Sequence, residues 1–192
     1  YTWVHITSQK VISHSAELGK APSTLILHPK RVDTFRFSLA NSQVVGWDIR
    51  SPKGTIGCLL EDESRGRNLG EQKGRACKQQ VLLPAGRYNL QLRTLQDQAL
   101  PTALHFHGMP SYAMPTPRRM RGTKAHFLTY TIPEAGYYQL SFAPTSGADA
   151  VNCAIAPSGS SLQKISCSQE LSLQKGLYLL RVNGKTDSTS RT

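Results

Sequence analysis

Residues 54–93 read GTIGCLLEDESRGRNLGEQKGRACKQQVLLPAGRYNLQLR, and residues 148–183 read ADAVNCAIAPSGSSLQKISCSQELSLQKGLYLLRVN. Each stretch runs apolar–Cys–apolar, polar loop, Cys, alternating segment, Gly-x-Tyr, alternating segment. A repeat of this size marks two copies of one small β unit. The match continues upstream without a gap. FSLANSQVVGWDI from Phe37 falls on YTIPEAGYYQLSF from Tyr130, so Val45 meets Tyr138, Trp47 meets Leu140 and Ile49 meets Phe142. Downstream, Gly86 meets Gly176 and Tyr88 meets Tyr178. The offset changes only within the loops, where insertions are best tolerated. Further upstream, STLILH before Pro29 resembles TALHFH before Gly108. The copies are therefore expected over residues 20–96 and 99–185, with an extension at 1–19 and a polar, disordered tail at 186–192.

Within each copy the period is two. Val81, Leu83, Tyr88, Leu90 and Leu92 alternate with polar neighbours, as do Leu171, Leu173, Tyr178, Leu180 and Val182. Short alternating runs between Gly, Pro and Ser turns are half-buried strands. PAGRY and QKGLY are turns entering a final strand, where Gly is expected to supply a backbone angle that other residues resist. No window carries a helical stripe. The fold class is all-β: two tandem antiparallel β-sandwiches, jelly-roll or immunoglobulin-like, of roughly six to eight short strands each.

A domain of about 80 residues buries a limited core and gains from a covalent staple. Cys58 and Cys77 fall in the first copy, Cys153 and Cys167 at matching places in the second. The expected bridges are Cys58–Cys77 and Cys153–Cys167, each contributing roughly 3 kcal/mol through chain entropy. Zinc ligands usually come as C-x-x-C pairs, which are absent; free buried thiols are the other alternative. Disulfides imply an oxidising compartment, so the chain is expected to be secreted or periplasmic. It starts at Tyr1 rather than Met, as a mature form or a domain of a longer protein would, and it has no apolar run long enough to span a bilayer. YTWVHIT at the start alternates and would complete a sheet or continue from a missing domain.

The formal net charge is +11, from 23 Lys and Arg against 12 Asp and Glu. Two clusters stand out. RGRNLGEQKGRACK holds Arg65, Arg67, Lys73, Arg75 and Lys78 in the loop between the first cysteine pair, and PRRMRGTK holds Arg118, Arg119, Arg121 and Lys124. The first loop is longer than its counterpart, which carries only Lys164, and elaborated loops are where binding tends to sit. Tyr112, beside the second cluster in a proline-rich insertion, suits stacking or anchoring. The bland reading is that basic loops keep a secreted domain soluble. No nucleic-acid module is recognisable. The expected partners are an anionic polysaccharide, a lipid head group, an acidic protein, or the remainder of a larger polypeptide.

His105 and His107 share one face of a strand, with Met109, Met114 and Met120 following, a set suited to copper. His107 also falls where the first copy has His28 at a strand end, which needs no ligand. EDES, from Glu61 to Ser64, could chelate calcium, but an acidic hairpin turn explains it better. No serine sits in G-x-S-x-G, no carboxylate pair suggests glycosidase work, and no phosphate-cradling glycine loop is present. No catalytic residue and no cofactor is expected. Trp47, Tyr88, Tyr138 and Tyr178 are expected in the core, with Tyr137 freer.

Each copy resembles the bacterial pre-peptidase C-terminal type of β-sandwich. DTFRFSLANSQVVGWDIRSPKG, the strand through Cys58 and LLPAGRYNLQLR carry the likeness in the first copy; HFLTYTIPEAGYYQLSF and LSLQKGLYLLRVN carry it in the second. The pattern departs at LLEDESRGRNLG and in the basic loops. The resemblance implies a secreted accessory domain, often attached to a protease or envelope protein, with no chemistry of its own.

Overall fold

The computed structural model describes residues 9–19, 23–109, 111–113, 125–140 and 151–184. The chain is all-β, with no helix among the described residues, and its contacts divide it into two units. The first comprises Tyr1–Gln80 and Ala85–Gly108; the second comprises Val81–Pro84 and Met109–Thr192.

The first nine strands are β1 (Lys10–Ser15), β2 (Ser23–Leu27), β3 (Arg31–Leu39), β4 (Gln43–Arg50), β5 (Ile56–Asp62), β6 (Arg67–Gly74), β7 (Ala76–Leu83), β8 (Gly86–Thr94) and β9 (Leu100–Met109). They form a five-stranded sheet in the order β1-β3-β8-β5-β6 and a four-stranded sheet in the order β2-β9-β4-β7. The alternating residues behave as their period predicts: Phe35, Phe37 and Leu39 on β3, and Tyr88, Leu90 and Leu92 on β8, are buried. Phe106 of β9 reaches across from the other sheet, its ring 6.0 Å from Phe35 and 6.1 Å from Phe37.

The second set is β10 (Ser111–Ala113), β11 (His126–Ile132), β12 (Gly136–Leu140), β13 (Val151–Pro157), β14 (Gln163–Ile165), β15 (Gln169–Leu173) and β16 (Gly176–Gly184). Its five-stranded sheet, β10-β11-β16-β13-β14, repeats the order of the first. The register repeats too. Phe37 lies opposite Tyr88 in one copy, and Tyr130 opposite Tyr178 in the other. Leu128, Cys153, Leu180 and Val182 form a core against which Leu140 and Cys167 pack. The smaller sheet has two strands among the described residues, β12 and β15.

Both bridges form as expected, Cys58–Cys77 with Cα atoms 6.4 Å apart and Cys153–Cys167 with Cα atoms 5.3 Å apart. Cys58 lies on β5 and Cys77 on β7, so the first bridge joins the two sheets.

Several details differ from the sequence expectations. Residues 20–96 hold seven strands, β2 to β8, and β1 and β9 add two more to the first unit. STLILH and TALHFH are not equivalents in two copies; they lie in β2 and β9, which pair antiparallel in one sheet. That pairing carries the first unit to Gly108, beyond the expected boundary at 96–99. Alternating apolar strands look alike in sequence whether they are repeats or partners. Each large sheet also has one parallel edge, β1 on β3 and β10 on β11. On the first side the chain crosses to the other sheet as β2 before returning as β3, which leaves β1 and β3 running the same way. Gly176 has φ +152°, a conformation that favours glycine, but Gly86 has no positive φ, so the expected backbone role holds at one of the two turns.

The G-x-Y motif has a second use. Tyr178 is buried, and its hydroxyl oxygen accepts a hydrogen bond from the Gln174 N–H at 3.1 Å, tying the closing strand to its own turn. Tyr138 is half-buried and ties its turn by donating to the Glu134 carbonyl at 2.7 Å. The expected core positions hold for Trp47, Tyr88 and Tyr178, while Tyr137 is exposed.

β1 is secured by a buried carboxylate. Asp33, on the inner face of β3, is 0% exposed. His14 Nε2 lies 2.8 Å from Asp33 Oδ1, and the Arg31 guanidinium donates to the same oxygen. Asp33→Ala would leave the Arg31 guanidinium and the His14 ring without their shared partner in a half-covered place. It is expected to cost about 2 kcal/mol, the scale of a charge-assisted hydrogen bond. Urea midpoints at constant m-value measure this, and Asp33→Ala indistinguishable from wild type would refute it.

Candidate functional site

The segment 64–78 is not a loop. It is the turn of the β5–β6 hairpin, the whole of β6 and the entry to β7. Arg65 sits in the turn, Arg67 and Lys73 on β6, Arg75 between β6 and β7 and Lys78 on β7, and Arg67 and Arg75 are separated by roughly 26 Å at the usual strand rise. Those two do not converge.

Their charges differ in how far they are neutralised. Asp62, nearly buried, accepts from the Arg65 backbone N–H at 3.1 Å and pairs with the Arg65 guanidinium at 3.4 Å, which fixes the hairpin turn. Glu71 is shared by Lys73 at 3.2 Å and Arg93 at 3.1 Å. Arg67 and Arg75 are exposed and make no ion pair among the described residues. The acidic EDES stretch is likewise engaged: Gln91 donates to Glu61 at 2.7 Å, and Arg87 pairs with Glu63 at 3.5 Å. The hairpin-turn reading of this stretch accounts for its carboxylates.

A second grouping was not evident in the sequence. On β4, Val45, Trp47 and Ile49 face the core, so Asp48 and Arg50 face out; on β9, Leu104 and Phe106 face in, so His105 and His107 face out; on β7, Lys78 faces out beside buried Cys77. The strand order β9-β4-β7 brings these residues onto one outer face. Arg50 holds Asp48 through Nε at 2.8 Å and Nη2 at 2.7 Å, and Lys78 stands off at 3.9 Å. The Arg50 hydrogen bond holds the Asp48 carboxyl below its usual range. Arg75 borders this group, since its carbonyl accepts from the Ser51 N–H at 2.8 Å next to Arg50. Two cations, Arg50 and Lys78, thus share one carboxylate, with the Arg75 backbone alongside. The sequence signal was present in the alternation of β4 and β7, but only the pairing of strands distant in sequence brings Arg50 to Lys78.

His105 and His107 lie with ring centroids 5.0 Å apart. Among the described residues no group of three or more His, Cys, Asp or Glu is placed to hold a metal ion, and Met114 and Met120 lie outside the described residues. Burial is the main cause holding His107 below its ordinary pKa; His105 and Lys78 act the same way and Asp48 opposes them. The unfolded chain therefore binds a proton more readily than the folded one. Stability should fall as pH drops below about 6.5, the unfolded value, and the loss should be complete below the folded pKa. His107→Gln is expected to flatten that part of the stability–pH curve; an unchanged slope between wild type and variant would exclude His107 as its source.

Tyr112 lies in β10, opposite Leu128 of β11. Arg118, Arg119, Arg121 and Lys124 lie outside the described residues, as do YTWVHIT and the polar tail.

The fold and bridges define the class: an all-β chain of two tandem, disulfide-stapled β-sandwiches. No family model and no curated protein matches it. Among solved structures it is similar to the pre-peptidase C-terminal domain of a collagenase from Bacillus anthracis, at 13% identity and TM-score 0.42, covering 51% of this chain and 95% of that one. It is similar to PliG of Aeromonas hydrophila, a periplasmic inhibitor of g-type lysozyme, at 13% identity and TM-score 0.43, covering 53% of this chain and 99% of that one. It is also similar to the CUB1-EGF-CUB2 domains of human MASP-1/3, at 8% identity and TM-score 0.32, covering 87% and 95%. The first is the domain type that the sequence resembles. At these values the likenesses bear on architecture and carry no argument about ligand or partner. No helix among the described residues is long and apolar enough to cross a membrane.

Proposed function

We propose that the chain is a non-catalytic binding or accessory region of a secreted or periplasmic protein, and that it recognises an anionic polymer through the outer face of β4 and β7. The observation that carries this reading is the grouping of Arg50 and Lys78 at one carboxylate, with the exposed Arg75 next to Ser51 at the neighbouring strand end, against a chain charge of +11. Arg67 in the first unit and, separately, Tyr112, Arg118, Arg119, Arg121 and Lys124 in the second are proposed as further contacts. Arg65 and Lys73, each held by a carboxylate, are assigned to the scaffold instead. Two disulfides suit an oxidising compartment.

The test is binding of the oxidised chain to an acidic glycan, anionic vesicles and an acidic peptide at low and moderate salt. Saturable binding to the glycan that survives moderate salt is expected. Replacing both Arg75 and Lys78 by Glu should weaken it by about tenfold or more, at roughly 1 kcal/mol per lost contact plus repulsion. Replacing Lys73 by Glu should change it far less. Binding to every anion at low salt and to none at moderate salt would mean nonspecific charge and sink the proposal. A second reading is a structural spacer or docking module within a larger chain.

A further inference from the structure

The outer face of β9, β4 and β7 holds two imidazoles beside its charged groups. His105 and His107 alternate with Leu104 and Phe106, which are buried, so both rings stand on the side of Asp48, Arg50 and Lys78. Their ring centroids are 5.0 Å apart. The charge of His105 reaches Asp48, and His107 feels His105, Asp48 and Lys78. His107 is half-buried, and its Nδ1 is buried without a hydrogen-bond partner among the described residues. On the other side of β9, β2 reads STLIL and carries no titratable side chain. In the segment before β2, the Gly19 N–H donates to the Phe106 carbonyl at 3.2 Å. Its titratable group, Glu17, lines a cavity with Phe35, Leu104 and Phe106 on the inner side of β9.

At neutral pH the group sets Asp48 against Arg50 and Lys78, which leaves a single net positive charge. The Arg50 hydrogen bond keeps Asp48 ionised in mild acid. Within the group, only the two imidazoles change charge between roughly pH 5 and pH 8. Charging His107 where it stands is opposed by its burial, by the neighbouring ring and by Lys78, and Asp48, already shared by two cations, offsets only part of that cost. An anion lying on this face adds the counter-charge that the rings need. It thereby favours their protonated form, and by reciprocity the protonated form favours the anion.

We infer that His105 and His107 are a proton-dependent part of the anion-binding face, so that the first unit takes up protons when it binds an anionic polymer and binds it more tightly in mild acid than at neutral pH. This rests on the reading of β4 and β7 as a face for anions and adds β9 to it, with the means by which its affinity is set. The polymer meets Arg50 and Lys78 at any pH in this range, and meets two further cations once the rings are charged. The pairing of a fixed and a titrating set on adjacent strands makes the affinity graded rather than all-or-none.

The probe is dextran sulfate, whose sulfates stay ionised throughout this range, titrated into the full oxidised chain at about pH 7.5 and about pH 5.5 at one moderate salt concentration. The dissociation constant is expected to fall by at least about fivefold on acidification, the lower end of ordinary coupling between two ligands. Binding heats in two buffers of different ionisation enthalpy should show net proton uptake at about pH 6.5, a readout that needs no acidification of the chain. The double variant His105→Gln, His107→Gln should lose both the uptake and most of the tightening. His28→Gln, at an exposed position beyond the end of β2, should keep them. Binding that is equally tight at both pH values, yet weakened by Arg75→Glu with Lys78→Glu, overturns the inference and leaves the anion reading standing. Equal tightening in wild type and the double histidine variant assigns the effect to the general charge of the chain and overturns it too. Binding at neither pH overturns both.

Discussion

Phe106→Ala is expected to lower the unfolding free energy by about 3–5 kcal/mol, the range for an aromatic removed from a packed core. Phe106 is buried and sits across Phe35 and Phe37, so its loss opens a cavity between two sheets that are held apart by their backbones. Trp47, buried in the same sheet, makes intrinsic fluorescence a reporter of that region in urea. Tyr130→Ala is the matched comparison. It removes a large side chain from the equivalent sheet position of the second unit, but the site is already open, and the expected cost is below about 1 kcal/mol. Equal losses in the two variants would mean that Tyr130 is covered in solution and that the two copies are alike.

Replacing both Cys58 and Cys77 by Ala is expected to cost about 3 kcal/mol, from the loop entropy released to the unfolded chain. The bridge spans 19 residues and ties β5 of one sheet to β7 of the other. The loop it closes contains the whole β6 strand. Relaxed pairing at that edge should add faster amide exchange over 67–74, which a purely entropic effect on the unfolded state would not produce. The matched Cys153 and Cys167 double replacement closes a shorter loop of 14 residues and is expected to cost slightly less. Denaturant titration of both variants decides the order. A loss under about 1 kcal/mol for the first would remove chain entropy as the reason these cysteines pair.

Much of the fold was legible in sequence for a local reason. A half-buried strand writes its alternation directly into the chain, so β8 and β16, β3 and β11, and the cysteine positions could be matched by inspection. β6 was not legible. RNLGEQKG is polar along its length because it is an edge strand with one neighbour, and it reads as a loop. β9 was misplaced because its apolar alternation fits either copy equally well. The charges were harder still. Arg65 and Lys73 read in sequence like Arg67 and Arg75, yet Arg65 pairs with Asp62 and Lys73 shares Glu71 with Arg93. Lys73 and Glu71 are two apart on one strand face, while Arg93 reaches Glu71 from β8 across the sheet. Only the first of these contacts is a matter of spacing.

By itself the sequence determined the duplication, the all-β class and the pairing of the cysteines. These follow from a period of two and from equivalent positions, which are properties of neighbouring residues. The tertiary structure decided which strands lie side by side, and with that which cations keep a free charge and which apolar faces stay open. Those outcomes depend on hydrogen bonding and burial between segments far apart in the chain. Arg50 beside Lys78, and Phe37 beneath Phe106, exist only once the sheets have formed.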